Sequence, residues 1–168
     1  DGMTFIVDDA MSAAAQDVTV YWAAWGGADL TDVALVNFTQ PTTPGTQDIT
    51  SLSFQPDGMM LMGLARTNAA PSVVADAALS LGVVDTAGNQ YVHFAGDNDN
   101  AGTTQTLMYG RTGEVAALPN AAVTTMTERA AWTSWLSNGA RLTWSEATAA
   151  YQYYALFWKG GLWSLGTG

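Results

Sequence analysis

The densest run of hard oxygen ligands in this 168-residue chain is GDNDNAGTT, residues 96–104. Asp97, Asp99 and Gly102 match the first, third and sixth places of a D-x-D-x-x-G calcium loop, where carboxylate oxygens and a glycine turn surround the ion. Asn98 and Asn100 would be auxiliary ligands. Against calcium, Ala101 holds the fifth place and Met108 the twelfth, so the bidentate glutamate is missing. The same residues read more simply as an exposed Asx-turn loop between strands. No other cofactor is expected. His93, in QYVHFA, is the one histidine. It offers a Ser-His-Asp triad a single base and leaves no His-rich metal site. Between Tyr91 and Phe94 it reads as a packed or cross-strand partner. Nothing marks a shared cleft for Glu114, Glu128 and Glu146, and Asp8-Asp9 reads as a solvated turn. Paired-carboxylate hydrolysis therefore has no identifiable site, and a non-enzymatic protein is expected.

Seven tryptophans raise the question of sugar recognition, because aromatic faces stack on pyranose rings. Most lie in strand-like runs. The three-residue spacing of Trp22/Trp25 and Trp132/Trp135 predicts opposite strand faces for the members of each pair. Trp25, Trp135, Trp158 and Trp163 are thus the candidate interface or binding aromatics, with core packing and subunit contacts the simpler explanation of the set.

Positioning these residues falls to β structure. Short β-branched and aromatic runs recur between turn signals: TFIV, VTVYWAAW, VALVNF, ITSLSF, MMLMGLA, AALSLGVV, QYVHFA, TLMYG, VAAL, TTMTERAAWTSWL, RLTW and YYALFW. The punctuation includes PTTPGTQD, QPDG, DTAGN, RTG and SNG. About a dozen short strands at this spacing predict an all-β, antiparallel, jelly-roll-like β-sandwich in a single domain, residues 1–168. Residues 10–16 and 72–79 have room for a helical turn but no amphipathic spacing. MMLMGLA, 59–65, is apolar on both faces. It reads as a central buried strand, with a methionine-rich subunit contact as the other reading.

Fifteen acidic residues face five scattered basic ones, for a net charge of −10. Without a basic stripe, nucleic-acid binding is not expected, and the same acidity disfavours anionic membranes. No apolar run approaches the roughly 20 residues of a membrane-spanning helix. Such a charge on a Thr/Ser/Asn/Gly-rich background suits a surface displayed at high copy number. There is no cysteine, hence no disulfide framework. A start at Asp1 fits a processed or excised chain.

The two ends repeat one motif. Gly2, Phe5, Val7 and Ala10 match Gly139, Leu142, Trp144 and Ala147 at an offset of 137, and Tyr21–Trp25 match Tyr153–Phe157 at 132. Residues 2–27 and 139–161 are therefore copies of strand, connection and aromatic strand, each ending near a Gly-Gly pair. A tandem array read across a unit boundary would give this pattern, as would ends that pair with each other.

The succession NG-x-x-LTW-x-x-A-x-A, an aromatic strand, GG, VNFTQPTTPGTQDITSLSFQPDGMMLMG and ADAALSLGVVDTAGNQYVHFAGDNDNAGTT resembles a β-sandwich repeat of tailed-bacteriophage virion proteins, of the head-fibre, decoration or tail-fibre-like kind. The likeness spans nearly the whole chain, although the second aromatic strand departs from it at Phe157-Trp158-Lys159. It implies a structural or adhesive virion component at the particle surface, outside the cell, with no catalytic residues to transfer. The expected partners are further copies of the chain or capsid and tail proteins, with a host-surface glycan as a candidate ligand and neither nucleic acid nor membrane. A carbohydrate-binding adhesion module is the alternative, and a bacterial surface-filament subunit the second alternative.

Overall fold

A computed structural model of the chain describes residues 28–67, 76, 78–98, 105–120 and 122–161. The N-terminal motif copy lies outside them, as do Trp22, Trp25, Asp99, Asn100 and Trp163. Among the described residues there are ten strands and no helix. They are β1 (Leu30–Thr39), β2 (Gly45–Ile49), β3 (Gly58–Leu64), β4 (Ala78–Val84), β5 (Gln90–Asn98), β6 (Gln105–Thr112), β7 (Ala116–Pro119), β8 (Met126–Leu136), β9 (Gly139–Glu146) and β10 (Gln152–Gly160). All pairings are antiparallel. One sheet runs β1-β10-β3-β4-β5-β6 and the other β2-β9-β8-β7, so the expected antiparallel sandwich is what forms. Strands β3 to β6 and β7 to β9 are two meanders, and β10 returns to the first sheet between β1 and β3.

Alternation decides which side chains meet between the sheets, since successive residues of a strand point to opposite faces. Met59 and Leu61 of β3, Val92 and Phe94 of β5, Leu142 and Trp144 of β9, and Tyr153, Ala155 and Phe157 of β10 are all buried. The Tyr153 ring is their hub. It stacks on Phe38 at 5.6 Å and meets Trp144 edge-on at 5.6 Å. A Cβ at Gly63 would stand 2.7 Å from Tyr153 Cδ1 and nearer still to Cε1, so only glycine leaves room for the ring. The Tyr153 hydroxyl has no hydrogen-bond partner among the described residues. Desolvation first, and then the nearby Glu128 carboxylate, push its pKa well above the usual phenol value.

Strand β7 pairs with β8 alone, and its other edge turns onto β4. Ala117 N–H donates to Ser80 Oγ at 3.4 Å. The Val115 carbonyl lies over Gly82, where a Cβ would stand 2.6 Å from the carbonyl carbon. Burying a sheet edge against the opposite sheet removes one site of unwanted strand pairing. Small residues at 80 and 82 make that approach feasible.

A buried carboxylate locks the strand ends together. Glu128, fully buried on β8, accepts from Gln40 Nε2, from Thr127 Oγ1 at 2.9 Å, from Thr148 N–H at 2.8 Å and from Thr148 Oγ1. With a fifth, longer contact from Ala149 N–H at 3.5 Å, these donors compensate the carboxylate for its lost hydration. Nearer the surface, Arg129 bridges Glu114 and Glu146, and the Glu114 hydrogen bond raises the guanidinium pKa.

Three sequence expectations change. PTTPGTQD is not all turn: its Gly45–Ile49 half is β2, held on β9 by an Asp48–Arg141 fork at 2.6 and 2.7 Å and by Trp144 Nε1 donating to Gln47 at 2.9 Å. Side-chain pairing there outweighs low intrinsic strand preference. Conversely, ITSLSF contributes only Ile49 to a strand, and Leu52 and Phe54 are buried from the loop that follows. Trp132 and Trp135 do not take opposite faces. A bulge between Trp132 and Ser134 adds a residue, so they pair with the inward-facing Leu142 and Ala140 and pack ring to ring at 5.1 Å. The Gln90 side chain binds the bulge, accepting from Trp132 N–H at 2.7 Å and donating to its carbonyl at 3.0 Å.

Candidate functional site

The outward face of the six-stranded sheet carries the most unusual surface of the described residues. In β1, β3, β4 and β10 both alternating sets are largely apolar, so burying one set leaves the other facing out. Register assembles these outward residues into rows. Leu35, Leu156, Met60, Val83 and Tyr91 run across one level, and Asn37, Tyr154, Met62, Leu81, His93 and Gly110 across the next. Leu64, Leu79, Ala95 and Met108 form a third. Leu35 is 68% exposed and Met108 76%, and Val33, Met62, Leu64, Leu79, Leu81 and Tyr154 are exposed as well. Scattered apolar residues are ordinary at a protein surface, but a contiguous patch of this breadth marks an interaction surface.

Relief and charge give the face its character. The small residues Ala95 and Gly110 floor a trough of about 390 Å³ between a Leu79/Leu81 ridge and Met108. Beyond Leu79 and Ala95 it opens into a depression of about 520 Å³ beside Arg66. The Arg66 guanidinium there donates to the Ala65 carbonyl at 2.7 Å and to the Asp76 carbonyl at 2.6 Å. Among the outward positions of the six strands, Asp97 at the rim is the one formally charged residue, in a chain of net charge −10. Acidity therefore lies elsewhere on the molecule.

The described residues among those singled out for chemistry do not converge. Asp97 and Asn98 are the last residues of β5, paired with Thr106 and Gln105 of β6, so the first two positions of the calcium-like run belong to a ladder. Asp99 and Asn100 fall outside the described residues. No cluster of three or more His, Cys, Asp or Glu able to hold a metal ion occurs among the described residues. His93 is exposed on the apolar face, opposite Leu81 and Gly110. Trp135 is half-buried against Trp132 at the edge of the core. Trp158 lies on the outward face over Gly58, where a Cβ would stand 2.5 Å from the indole nitrogen. Trp25 and Trp163 lie outside the described residues.

Sequence reasoning missed Leu35, Leu79, Leu81 and Met108, which build the face. The available signal was apolarity at both parities of a strand, noticed in MMLMGLA. There the inward Met59 and Leu61 are buried, whereas Met62 and Leu64 are exposed, so β3 is central in its sheet but buried on one side.

No family model matches the chain, and the comparison with curated proteins finds no match. Among solved structures, the crystal structure of the Acinetobacter phage vB_ApiP_P1 tailspike protein is similar to it at a TM-score of 0.35 and 11% identity. That alignment covers 90% of this chain and 26% of the tailspike chain, so this chain spans about a quarter of that protein's length.

Proposed function

We propose that the chain is a non-enzymatic structural module of a tailed-phage virion. It is displayed on the outside of the particle as a decoration, head-fibre or tail component and joins its neighbours through the outward face of the six-stranded sheet. That face carries the reading: eight large apolar side chains stand exposed on one side of a strongly acidic chain. A surface of this kind is stable in water only when something covers it. The phage context comes from the order of motifs, from the LTW strand through the acidic loop, which resembles virion sandwich repeats. The acidic remainder keeps displayed copies apart and soluble. Immunogold electron microscopy of purified virions from the phage that encodes the chain tests the proposal. Gold on intact particles is the expected result. Gold-free particles, with the chain left soluble in the lysate, would overturn it.

A further inference from the structure

We infer that the partner covering the outward face is a second copy of this chain, seated face to face by a twofold axis. This deepens the assembly reading above and rests on it. Three observations single out this occupant.

The first is charge. Two copies of net charge −10 repel wherever their carboxylates approach. Along its strands the outward face carries one formal charge, Asp97, with Arg66 and Asp76 at the same rim, so it is the described surface on which like copies meet with least repulsion. A basic partner would gain nothing there, since the face offers it almost no carboxylates.

The second is area. Six strands about 4.8 Å apart and seven residues long at about 3.3 Å each span roughly 29 by 23 Å. Each copy then contributes about 650 Å², and a pair buries about 1,300 Å², within the range of roughly 1,200–2,000 Å² for stable specific interfaces. The face alone is sufficient for a dimer.

The third is shape. An isologous contact needs a surface complementary to itself. This face has both relief elements: the trough over Ala95 and Gly110 on β5 and β6, and the exposed Leu35 and Tyr154 on β1 and β10, which a twofold axis at the middle of the sheet brings opposite it. Leu81 and Met62, directly paired near the middle of the sheet, stand closest to the axis. Face-to-face packing then adds a second sheet pairing of the kind already formed inside the chain.

Sedimentation velocity of the full chain from about 0.1 to 100 μM, with single-charge variants, tests the inference. Wild type is expected to sediment as a dimer, and Leu81→Glu to weaken association at least a hundredfold, because two added carboxylates face each other at the axis. Met108→Glu, on an edge strand at 76% exposure, supplies the same test without a risk to folding and is expected to weaken association at least tenfold. Thr46→Glu adds the same charge to the outer side of the other sheet and is expected to leave the dimer intact. A wild-type monomer or an odd-numbered oligomer would overturn the inference. The monomer would assign the face to another protein or to the chain's own remaining residues, with virion labelling still free to succeed. A dimer indifferent to both Leu81→Glu and Met108→Glu would overturn the choice of face itself.

Discussion

Replacing Gly82 by alanine tests the seating of β7 on β4. A Cβ there would stand 2.6 Å from the Val115 carbonyl carbon and 3.1 Å from its Cα, with the carbonyl oxygen nearer still. Ordinary carbon contacts lie at about 3.5–4.0 Å, so β7 must retreat by roughly 1 Å, and a gap of that size forfeits a quarter to a half of each contact it opens. The obstacle is backbone, which cannot turn aside. Val115, Ala116, Ala117 and Leu118 are all fully buried, so the retreat opens a packed strand. The cost falls at the upper end of overpacking penalties, about 3 kcal/mol. For a domain of this size that is about 6–12 °C in melting temperature. Gly110→Ala is the matched control. Its Cβ would stand 3.2 Å from His93 Nδ1, the end of an exposed side chain that can rotate away. Loss of glycine freedom in the unfolded chain then offsets the crowding, and the melting temperature should stay within about 2 °C of wild type. Thermal unfolding followed by far-ultraviolet circular dichroism reads both variants. Gly82→Ala melting alongside Gly110→Ala would refute the close approach of β7 to β4.

Other consequences follow from the interior and from the acidic run. Tyr153→Phe removes a buried hydroxyl without a partner among the described residues, so at pH 8 it should be neutral to stabilising by about 1 kcal/mol in urea unfolding. Because the folded-state pKa of Tyr153 is raised above the unfolded value of about 10, its contribution is complete below that pH and is lost as pH rises beyond it. The Phe variant should therefore lose less stability than wild type between about pH 10 and 11, and an identical alkaline decline would count against the buried phenol. Glu128→Gln turns one acceptor oxygen into a donor among the Gln40, Thr127 and Thr148 donors. It should cost about 3 kcal/mol in the same urea assay. Since Asp97 and Asn98 belong to the β5–β6 ladder, millimolar calcium should leave the melting temperature where a chelator leaves it. A calcium-dependent rise would restore the metal site.

Much of the sandwich was legible because its signals are local. Period-two runs in VALVNF, QYVHFA and RLTW and the turns DTAGN and SNG fall where β1, β5, β9 and their connections fold. Asp85 shows why such a turn is readable: its carboxylate accepts from Asn89 N–H at 2.9 Å and from Asn89 Nδ2 at 2.8 Å, with Gly88 at φ 84°. β2 was not legible, since its strand character depends on Arg141 and Trp144, nearly a hundred residues away. Neither was the bulge that turns Trp135 inward, which depends on Gln90 satisfying the Trp132 backbone from another sheet. The outward apolar face was half visible. Alternation shows that a strand is apolar at both parities, but only register reveals that such strands align their surplus on one side.

The repeated motif shows what the sequence duplicates. In the C-terminal copy, Leu142, Trp144 and Ala147 are buried in β9 and its continuation, and Tyr153, Ala155 and Phe157 are buried in β10. Their counterparts in the N-terminal motif are Phe5, Val7 and Ala10, then Tyr21, Ala23 and Trp25, all apolar or aromatic. Gly139, whose Cβ would crowd the Ile49 carbonyl, is matched by Gly2. The outward places differ more: Tyr154 corresponds to Trp22, and Leu156, part of the proposed interface, corresponds to Ala24. β9 belongs to one sheet and β10 to the other, so this pair is the segment that closes the sandwich, with β10 wedged between β1 and β3. What recurs in the sequence is the apolar pattern that, in the C-terminal copy, closes the sandwich with inward-facing residues two apart.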